Sequence, residues 1–349
     1  MKGFSGLTGA TIIGIGHTLG SRKITNIELV ERLSPNLVIS ASEIEQKTGI
    51  KQRYWCDTKK ENLYVLLASA MEQALWSSGI EKEAITDLFV TCNPTSDYLL
   101  PNTASLVADI SGLKKIKISP IGTGCAGPMI ALESILEKLF YHTLASEERT
   151  VALIVGDQTS NILGQNMDRA LFSDAASCFI IKNNRKGLYD LNYADHITFT
   201  ESCDALRVLR DGTLIHDGRA VYRFATSIVP YVKELTGLED FSSHHIIPHQ
   251  ANIRIIDKIA QSLNAVDCYS DGVINLGNTG PASTFIGLED MHRRDMINKK
   301  KLLLVAFGEG LTVGVAELYK TGRNLTVSGR LSDEELHAKY MEIYNKKWS

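Results

Sequence analysis

No C-x-x-C pair occurs in this chain. Its six cysteines, Cys56, Cys92, Cys125, Cys178, Cys203 and Cys268, are scattered. That argues against a zinc site and a disulfide framework, and for a reducing, cytoplasmic setting. No run of about 18 apolar residues occurs, and Lys2 to Gly6 lead into no signal-peptide apolar core, so the chain reads as soluble, with no membrane partner. Strong charge is also missing: a net charge of −3 gives no bulk attraction to nucleic acid. The glycine-rich stretch Ala10–His17 lacks both the G-x-G-x-x-G order and a Walker lysine. It therefore reads as a buried strand whose glycines let backbone pack closely.

What is present is an ordinary globular composition, 44% hydrophobic and 22% charged over 349 residues, long enough for two domains or one duplicated unit. Apolar strands are read at Ile85–Cys92, Lys115–Ile121, Thr150–Asp157 and Ala175–Lys182. Helices are read at Thr25–Val30, Ser42–Gly49, Asn62–Ser78 and Thr103–Ile110, and directly behind Cys125. The loops between them are Asn93–Asn102, with Pro94 and Pro101, and Gln158–Asp168. The second half repeats the plan loosely. It has one or two strands in Leu188–Thr200, a helix after Asp217, and a strand at His245–Asn252 followed by a helix at Ile253–Leu263. Then come a strand with a glycine-rich turn at Val273–Pro281, a helix at Ala282–Met296, and strands at Leu302–Phe307 and Leu311–Tyr319. Alternation of this kind implies an α/β fold with a parallel-containing sheet and helices on both faces. The expected organisation is one half over 1–185 and a similar half over 186–320. A capped amphipathic tail helix lies within 321–349, with Ser332-Asp-Glu-Glu335 before Leu336, Tyr340, Ile343 and Tyr344. The tail is expected to pack on its own subunit.

The chain is organised around Ile121–Phe140. This stretch sets Cys125 among small residues, ahead of Met129, Leu132, Ile135, Leu136 and Leu139 at helical spacing. A cysteine at a helix N-terminus is favoured as a thiolate by free N–H groups and the helix dipole. A small cysteine packed at a helix start is the other reading. Two more polar residues, His249 and Asn278, are read at the ends of apolar strands, where open α/β sheets gather their sites. Cysteine with histidine makes a nucleophile with a proton acceptor. Histidine with asparagine makes two donors for a developing oxyanion or enolate.

Six segments carry a family resemblance. Pro248-His-Gln-Ala-Asn-Ile-Arg-Ile-Ile256, Gly277-Asn-Thr279 and Ala306-Phe-Gly-Glu-Gly-Leu-Thr-Val-Gly314 resemble the β-ketoacyl-acyl-carrier-protein synthase III family. Thr48-Gly-Ile50, Gly124-Cys-Ala-Gly127 and Ser173-Asp-Ala-Ala176 fall in matching order, and the likeness spans about residues 9 to 320. The resemblance implies the thiolase fold, a five-layered αβαβα structure of two similar halves, and a homodimer. It implies Cys125 as the acylated nucleophile, and His249 and Asn278 as the pair that promotes malonyl decarboxylation. The backbone of Cys125 and Glu309 would supply the oxyanion hole. It further implies Asn252, Leu100 and Gly218 as substrate or pantetheine contacts, and Arg223 and Arg254 as contacts to an acyl carrier protein. No metal and no resident cofactor are implied, since substrates ride on phosphopantetheine or coenzyme A.

Two departures stand out. Where the family has a glycine, this chain has Glu309; the readings are a carboxylate turned to solvent or an ion pair, or one acting in the pocket as a base or polar wall. Where the family places a tryptophan and an arginine around the adenine of coenzyme A, this chain has Glu43 and Lys47. A carboxylate beside nucleotide phosphates is unfavourable, which tilts the expected acyl donor toward carrier protein. The leading expectation is a decarboxylative condensing enzyme in fatty-acid-like or secondary metabolism. The alternatives are an acyltransferase of the same fold acting on oxygen or nitrogen, and a non-catalytic thiolase-fold partner.

Overall fold

The computed structural model describes residues 9–93, 98, 100–163, 167–183, 187–209, 213–323 and 331–348. Residues 2–6 and 324–330, Pro94, Ser349 and part of the expected 158–168 loop lie outside them.

Nine strands form one sheet: β1 (Thr11–Leu19), β2 (Asp87–Thr91), β3 (Lys117–Ile121), β4 (Thr150–Asp157), β5 (Ala175–Lys182), β6 (Tyr189–Thr198), β7 (His244–Pro248), β8 (Lys301–Gly308) and β9 (Thr312–Lys320). Their spatial order is β7-β8-β9-β6-β1-β5-β4-β2-β3. In the N-terminal half β1 runs antiparallel to β5 and β5 antiparallel to β4, while β4, β2 and β3 are parallel. The C-terminal half repeats this: β6 is antiparallel to β9 and β9 to β8, while β8 and β7 are parallel. A single parallel bridge from Ile246 to Cys268 stands where the first half has β3. The halves meet at a short β1–β6 pairing, Thr11 with Asp190 and Ile12 with Tyr189.

Among the described residues, the helices that cover the sheet are α1 (Leu63–Ser78), α2 (Thr103–Ile110), α3 (Gly127–Leu144), α4 (Gly218–Thr226), α5 (Val229–Thr236), α6 (Ile253–Ser262), α7 (Ser283–Arg293) and α8 (Asp333–Trp348). One apolar cluster joins α3 (Met129, Leu132, Ile135) and α7 (Phe285, Leu288) to both sheet halves, through Phe179 and Ile181 on one side and Leu302 and Leu304 on the other. Phe179 and Phe285 stack with ring centres 3.5 Å apart. A second cluster holds α1, α2 and α8 against the outer face of the first half. A third holds α4, α5 and α6 against the outer face of the second. Helices α3 and α7 are thus a central layer between two sheet halves, giving the five-layered αβαβα thiolase arrangement that the sequence implied.

Local chemistry explains the elements. Helix α1 starts where the Asn62 side chain accepts the Val65 N–H, and stops at Gly79 in the left-handed region. Its apolar side chains run almost all the way round, so it is buried. A Cβ on Gly14 or Gly16 would lie 2.3 or 2.4 Å from the α1 backbone at Ala74, so these glycines serve close packing. The run of β4 is apolar without alternation because both faces are covered. The tail helix α8 packs on its own subunit through Leu336, Tyr340 and Tyr344, with Tyr344 stacked on Tyr64, whereas Ile343 faces outward. Among the described residues no helix is long and apolar enough to cross a membrane.

One expected strand is a helix. Asp271–Leu276 is helical, stopped by Gly277 at φ 74°. Only Gly272 and Val273 are buried on it, a one-sided burial that a short turn of helix satisfies. Asn278 therefore does not end a strand. It is placed instead by a parallel bridge to Phe172.

Candidate active site

Cys125 follows β3 and sits one residue before the N-cap of α3, which is Ala126, with Pro128 in the first helical turn. Tight packing requires glycine on either side of it. A Cβ on Gly127 would lie 2.4 Å from the hydroxyls of Thr91 and Thr123. A Cβ on Gly308, at the end of β8, would lie 2.9 Å from the Cys125 Cβ. The preceding residue of β8, Phe307, meets the His249 ring edge-on at 5.1 Å between centres. Successive residues of one strand thus hold Cys125 and His249.

His249 lies just beyond β7 and donates its N–H to the Val305 carbonyl at 2.7 Å. Its Nδ1 is 2.6 Å from the Ser283 hydroxyl at the start of α7. That hydroxyl also accepts the Gln250 N–H at 3.3 Å. Nε2 has no hydrogen-bond partner among the described residues. Burial pushes the ring down to about 3, so it is neutral.

Asn278 donates its N–H to the Leu171 carbonyl and accepts the Ser173 N–H, both at 2.8 Å. Its Oδ1 accepts the Gly280 N–H at 3.0 Å, which orients the amide and leaves Nδ2 as a donor without a partner among the described residues. Ser173 Oγ further ties this segment to the Leu276 carbonyl.

A narrow cavity of about 40 Å³ opens on Cys125, lined also by Asn93, Asp157, Phe172, Gly280 and Glu309. Two carboxyl groups therefore face the nucleophile. Glu309 does not turn to solvent or to an ion pair. Its Oε1 accepts the Gly124 N–H at 2.5 Å, and burial raises its carboxyl, opposed by that hydrogen bond. Asp157, the last residue of β4, accepts the N–H and Nδ2–H of Asn93 at 2.8 and 2.6 Å. Burial pushes it up to about 8, and the nearby Glu309 adds to the rise. The thiol of Cys125 responds to this setting. Burial, then Asp157, then Glu309 hold it well above its ordinary range. The expected helix-end thiolate is overturned, because two carboxyls and low polarity outweigh the partial charge of one helix terminus.

The remaining sequence-nominated residues lie away from this cavity. Asn252 caps α6 by accepting the Arg254 N–H at 2.9 Å. Arg254 is exposed and reaches the Gln46 carbonyl at 3.4 Å. Gly218 and Arg223 lie exposed on α4. Leu100 is 85% exposed and does not line the cavity of its own chain. Glu43 closes a capping box with Ser40 at the helix Ala41–Thr48. Three residues escaped the sequence reading: Asp157, Asn93 and Ser283. Asp157 carried the signal used for the others, a polar residue ending an apolar strand.

Residues 235–319 match the model of the 3-oxoacyl-[acyl-carrier-protein (ACP)] synthase III C-terminal family. A β-ketoacyl-[acyl-carrier-protein] synthase III of Clostridium novyi is 30% identical over 310 residues, spanning 83% of this chain and 93% of the relative. Its counterpart in Clostridium perfringens is 31% identical over 331 residues, spanning 88% and 98%. Among solved structures, 3-oxoacyl-(acyl carrier protein) synthase III of Pseudomonas aeruginosa superposes with a TM-score of 0.78 at 25% identity, covering 91% of this chain and all of the other. The priming β-ketosynthase of the R1128 polyketide pathway shares the fold, with a TM-score of 0.78 at 22% identity, covering 89% and 96%.

Proposed function

Because the chain belongs to the β-ketoacyl-[acyl-carrier-protein] synthase III family, a family of condensing enzymes of fatty acid or polyketide biosynthesis, we propose a mechanism in which Cys125, His249 and Asn278 divide the work. The observation that carries it is that two unengaged donor positions, His249 Nε2 and Asn278 Nδ2, belong to residues tied to the walls around Cys125: His249 packs on Phe307 beside Gly308, and Asn278 bonds Gly280, which lines the cavity.

Cys125 attacks an acyl thioester, its proton passing to the neutral His249 and on to the departing thiol. The N–H groups of Cys125 and Glu309 hold the tetrahedral oxyanion; one such donor is worth about 3 kcal/mol of barrier. A malonyl-type thioester then loses carbon dioxide. Its enolate oxygen is held by His249 Nε2–H and Asn278 Nδ2–H, and the enolate carbon attacks the acyl-cysteine; the new carbon–carbon bond forms as the carbon–sulfur bond to Cys125 breaks, and the released thiolate takes up a proton from solvent. The Ser283 hydroxyl can donate to or accept from Nδ1, so it supports both tautomers that this cycle uses. Ser283→Ala is expected to slow condensation about tenfold, the worth of one such hydrogen bond, measured as kcat.

On this reading the donors are carried by acyl carrier protein, met by the exposed Arg223 and Arg254, with Asn252 and Gly218 along the pantetheine arm. The enzyme is an acyltransferase of cytoplasmic metabolism and works as a homodimer in which Leu100 reaches the partner's pocket. It needs no metal and no resident cofactor.

The test is intact-mass spectrometry of the full chain with acyl carrier-protein thioesters, followed by a malonyl carrier-protein thioester. The expected result is a mass gain equal to the acyl group, then its loss with one carbon dioxide released per β-ketoacyl product. Loss of the acyl group to an alcohol or amine without carbon dioxide would replace condensation by simple transfer. No mass gain from any donor would leave a non-catalytic partner as the reading.

A further inference from the structure

The wall of the Cys125 cavity formed by Asn93, Asp157 and Glu309 is unusual in its hydrogen-bond inventory. Asn93 directs its backbone N–H and one Nδ2–H at Asp157. The Gly124 N–H is used by Glu309 Oε1. An acceptor remains free: Glu309 Oε2 has no hydrogen-bond partner among the described residues. It stands near Gly124, where a Cβ would lie 2.9 Å from it and 3.1 Å from Asn93 Oδ1. Among the described residues no lysine, arginine or histidine pairs with either carboxyl. Arg207, the cation lining this cavity, is exposed.

Resting on the reading that Cys125 accepts an acyl group, we propose that Asp157 and Glu309 select a short acyl group whose far end carries a protonated amine. An acyl chain on the Cys125 sulfur has only a few heavy atoms of room before it meets this wall. An ammonium brings three donors and no acceptor, which complements the acceptor oxygens Glu309 Oε2 and Asn93 Oδ1 and can bond Asp157 as a carboxylate. It also supplies a positive charge to the buried Asp157 and the half-buried Glu309, neither of which is paired with a cation among the described residues. A methyl group of the same size would leave them unpaired, and a site built to bond a donor rejects an analogue without one. A terminal carboxylate would be set against two carboxyl groups and gain no counter-charge from them. Burial chiefly raises both carboxyls, and a bound cation would oppose that rise.

The loading step balances as ordinary acyl transfer. The donor's carbon–sulfur bond breaks and a carbon–sulfur bond to Cys125 forms. The cysteine proton leaves with the released thiol, and nothing is oxidised or reduced. A protonated amine has no lone pair with which to attack the acyl-cysteine, so the charged wall also protects the intermediate.

The experiment compares two isosteric donors, the β-alanyl and butyryl thioesters of N-acetylcysteamine, by intact-mass time courses on the full chain near neutral pH. β-Alanyl loading is expected to exceed butyryl loading about 10²-fold in kcat/KM, in line with hydrogen bonds to charged groups. In Asp157→Asn/Glu309→Gln the ratio should fall toward one. Butyryl loading at an equal or higher rate in the wild-type protein would overturn the selection while leaving Cys125 as the acylated residue. If neither donor adds mass, or if the added mass persists in Cys125→Ala, acylation of Cys125 itself fails and the selection with it. Should the double variant not fold, the wild-type ratio decides.

Discussion

Cys125→Ala is expected to abolish acyl loading and with it all β-ketoacyl product, read as loss of the mass gain on the intact chain. More telling is how loading in the wild-type protein should depend on pH. Cysteine enzymes that start from a thiolate speed up as pH rises toward the thiol's own titration. Here burial, Asp157 and Glu309 hold the thiol well above its ordinary range, and burial holds His249 down to about 3. The resting pair is therefore neutral thiol and neutral imidazole, and the proton must move during attack. The carboxyl groups facing the sulfur are those of Asp157 and Glu309, with Arg207 on the exposed lining. Between about pH 5 and 7 the neutral pair persists, so the loading rate should be flat. As Asp157 ionises near 8, a second negative charge disfavours the sulfur's developing charge, and loading should fall. Asp157→Asn should remove that fall. A loading rate that climbs steadily from pH 6 to 9 would restore the thiolate start that the sequence suggested.

How much of this was legible before the fold was seen differs by element. Strands such as Thr150–Asp157 carry long apolar runs, and helices such as Leu63–Ser78 carry both an Asn cap and a Gly stop, so their identity is written locally. Asp271–Leu276 is not: six residues with Val273, Ile274 and Leu276 suit a buried strand or a turn of helix alike, and periodicity cannot arbitrate so short a run. Cys125 and His249 could be nominated because each stands beside a strong strand or helix signal. Ser283 could not, because its bond to His249 joins two elements 34 residues apart. Glu309 was visible as an oddity, but its direction was not. Gly310 at φ 67° sets the turn that follows it, and the Gly124 N–H that receives its carboxylate comes from the other half of the chain. Direction is a tertiary property, and the ordinary expectation for a glutamate in a turn was the wrong one.

Asp157→Asn is also expected to stabilise the protein at alkaline pH. Burial chiefly pushes the folded carboxyl up to about 8 from its ordinary 3.8. Between those values the folded state keeps a proton that the unfolded chain has lost. Wild-type stability must therefore fall as pH rises from about 4 to about 8, and it is not recovered above. About four pK units correspond to on the order of 5 kcal/mol in full. Asparagine has no proton to lose and still offers an oxygen to the Asn93 N–H. The stability difference, Asp157→Asn minus wild type, should thus climb toward that figure between pH 5 and pH 9 in urea unfolding, and be level below pH 4. Other shifted groups drop out of the difference. His249, held down by burial, destabilises the fold as pH falls from about 6.5 toward 3 in both proteins alike. Asp174, pushed up to about 6, does the same in the opposite direction. A difference that stays constant from pH 5 to 9 would mean that Asp157 is ionised at neutral pH in the folded chain. A buried carboxyl retained at such a cost beside the nucleophile is the mark of a site shaped for its substrate, because packing alone would be better served by a side chain with no proton to lose.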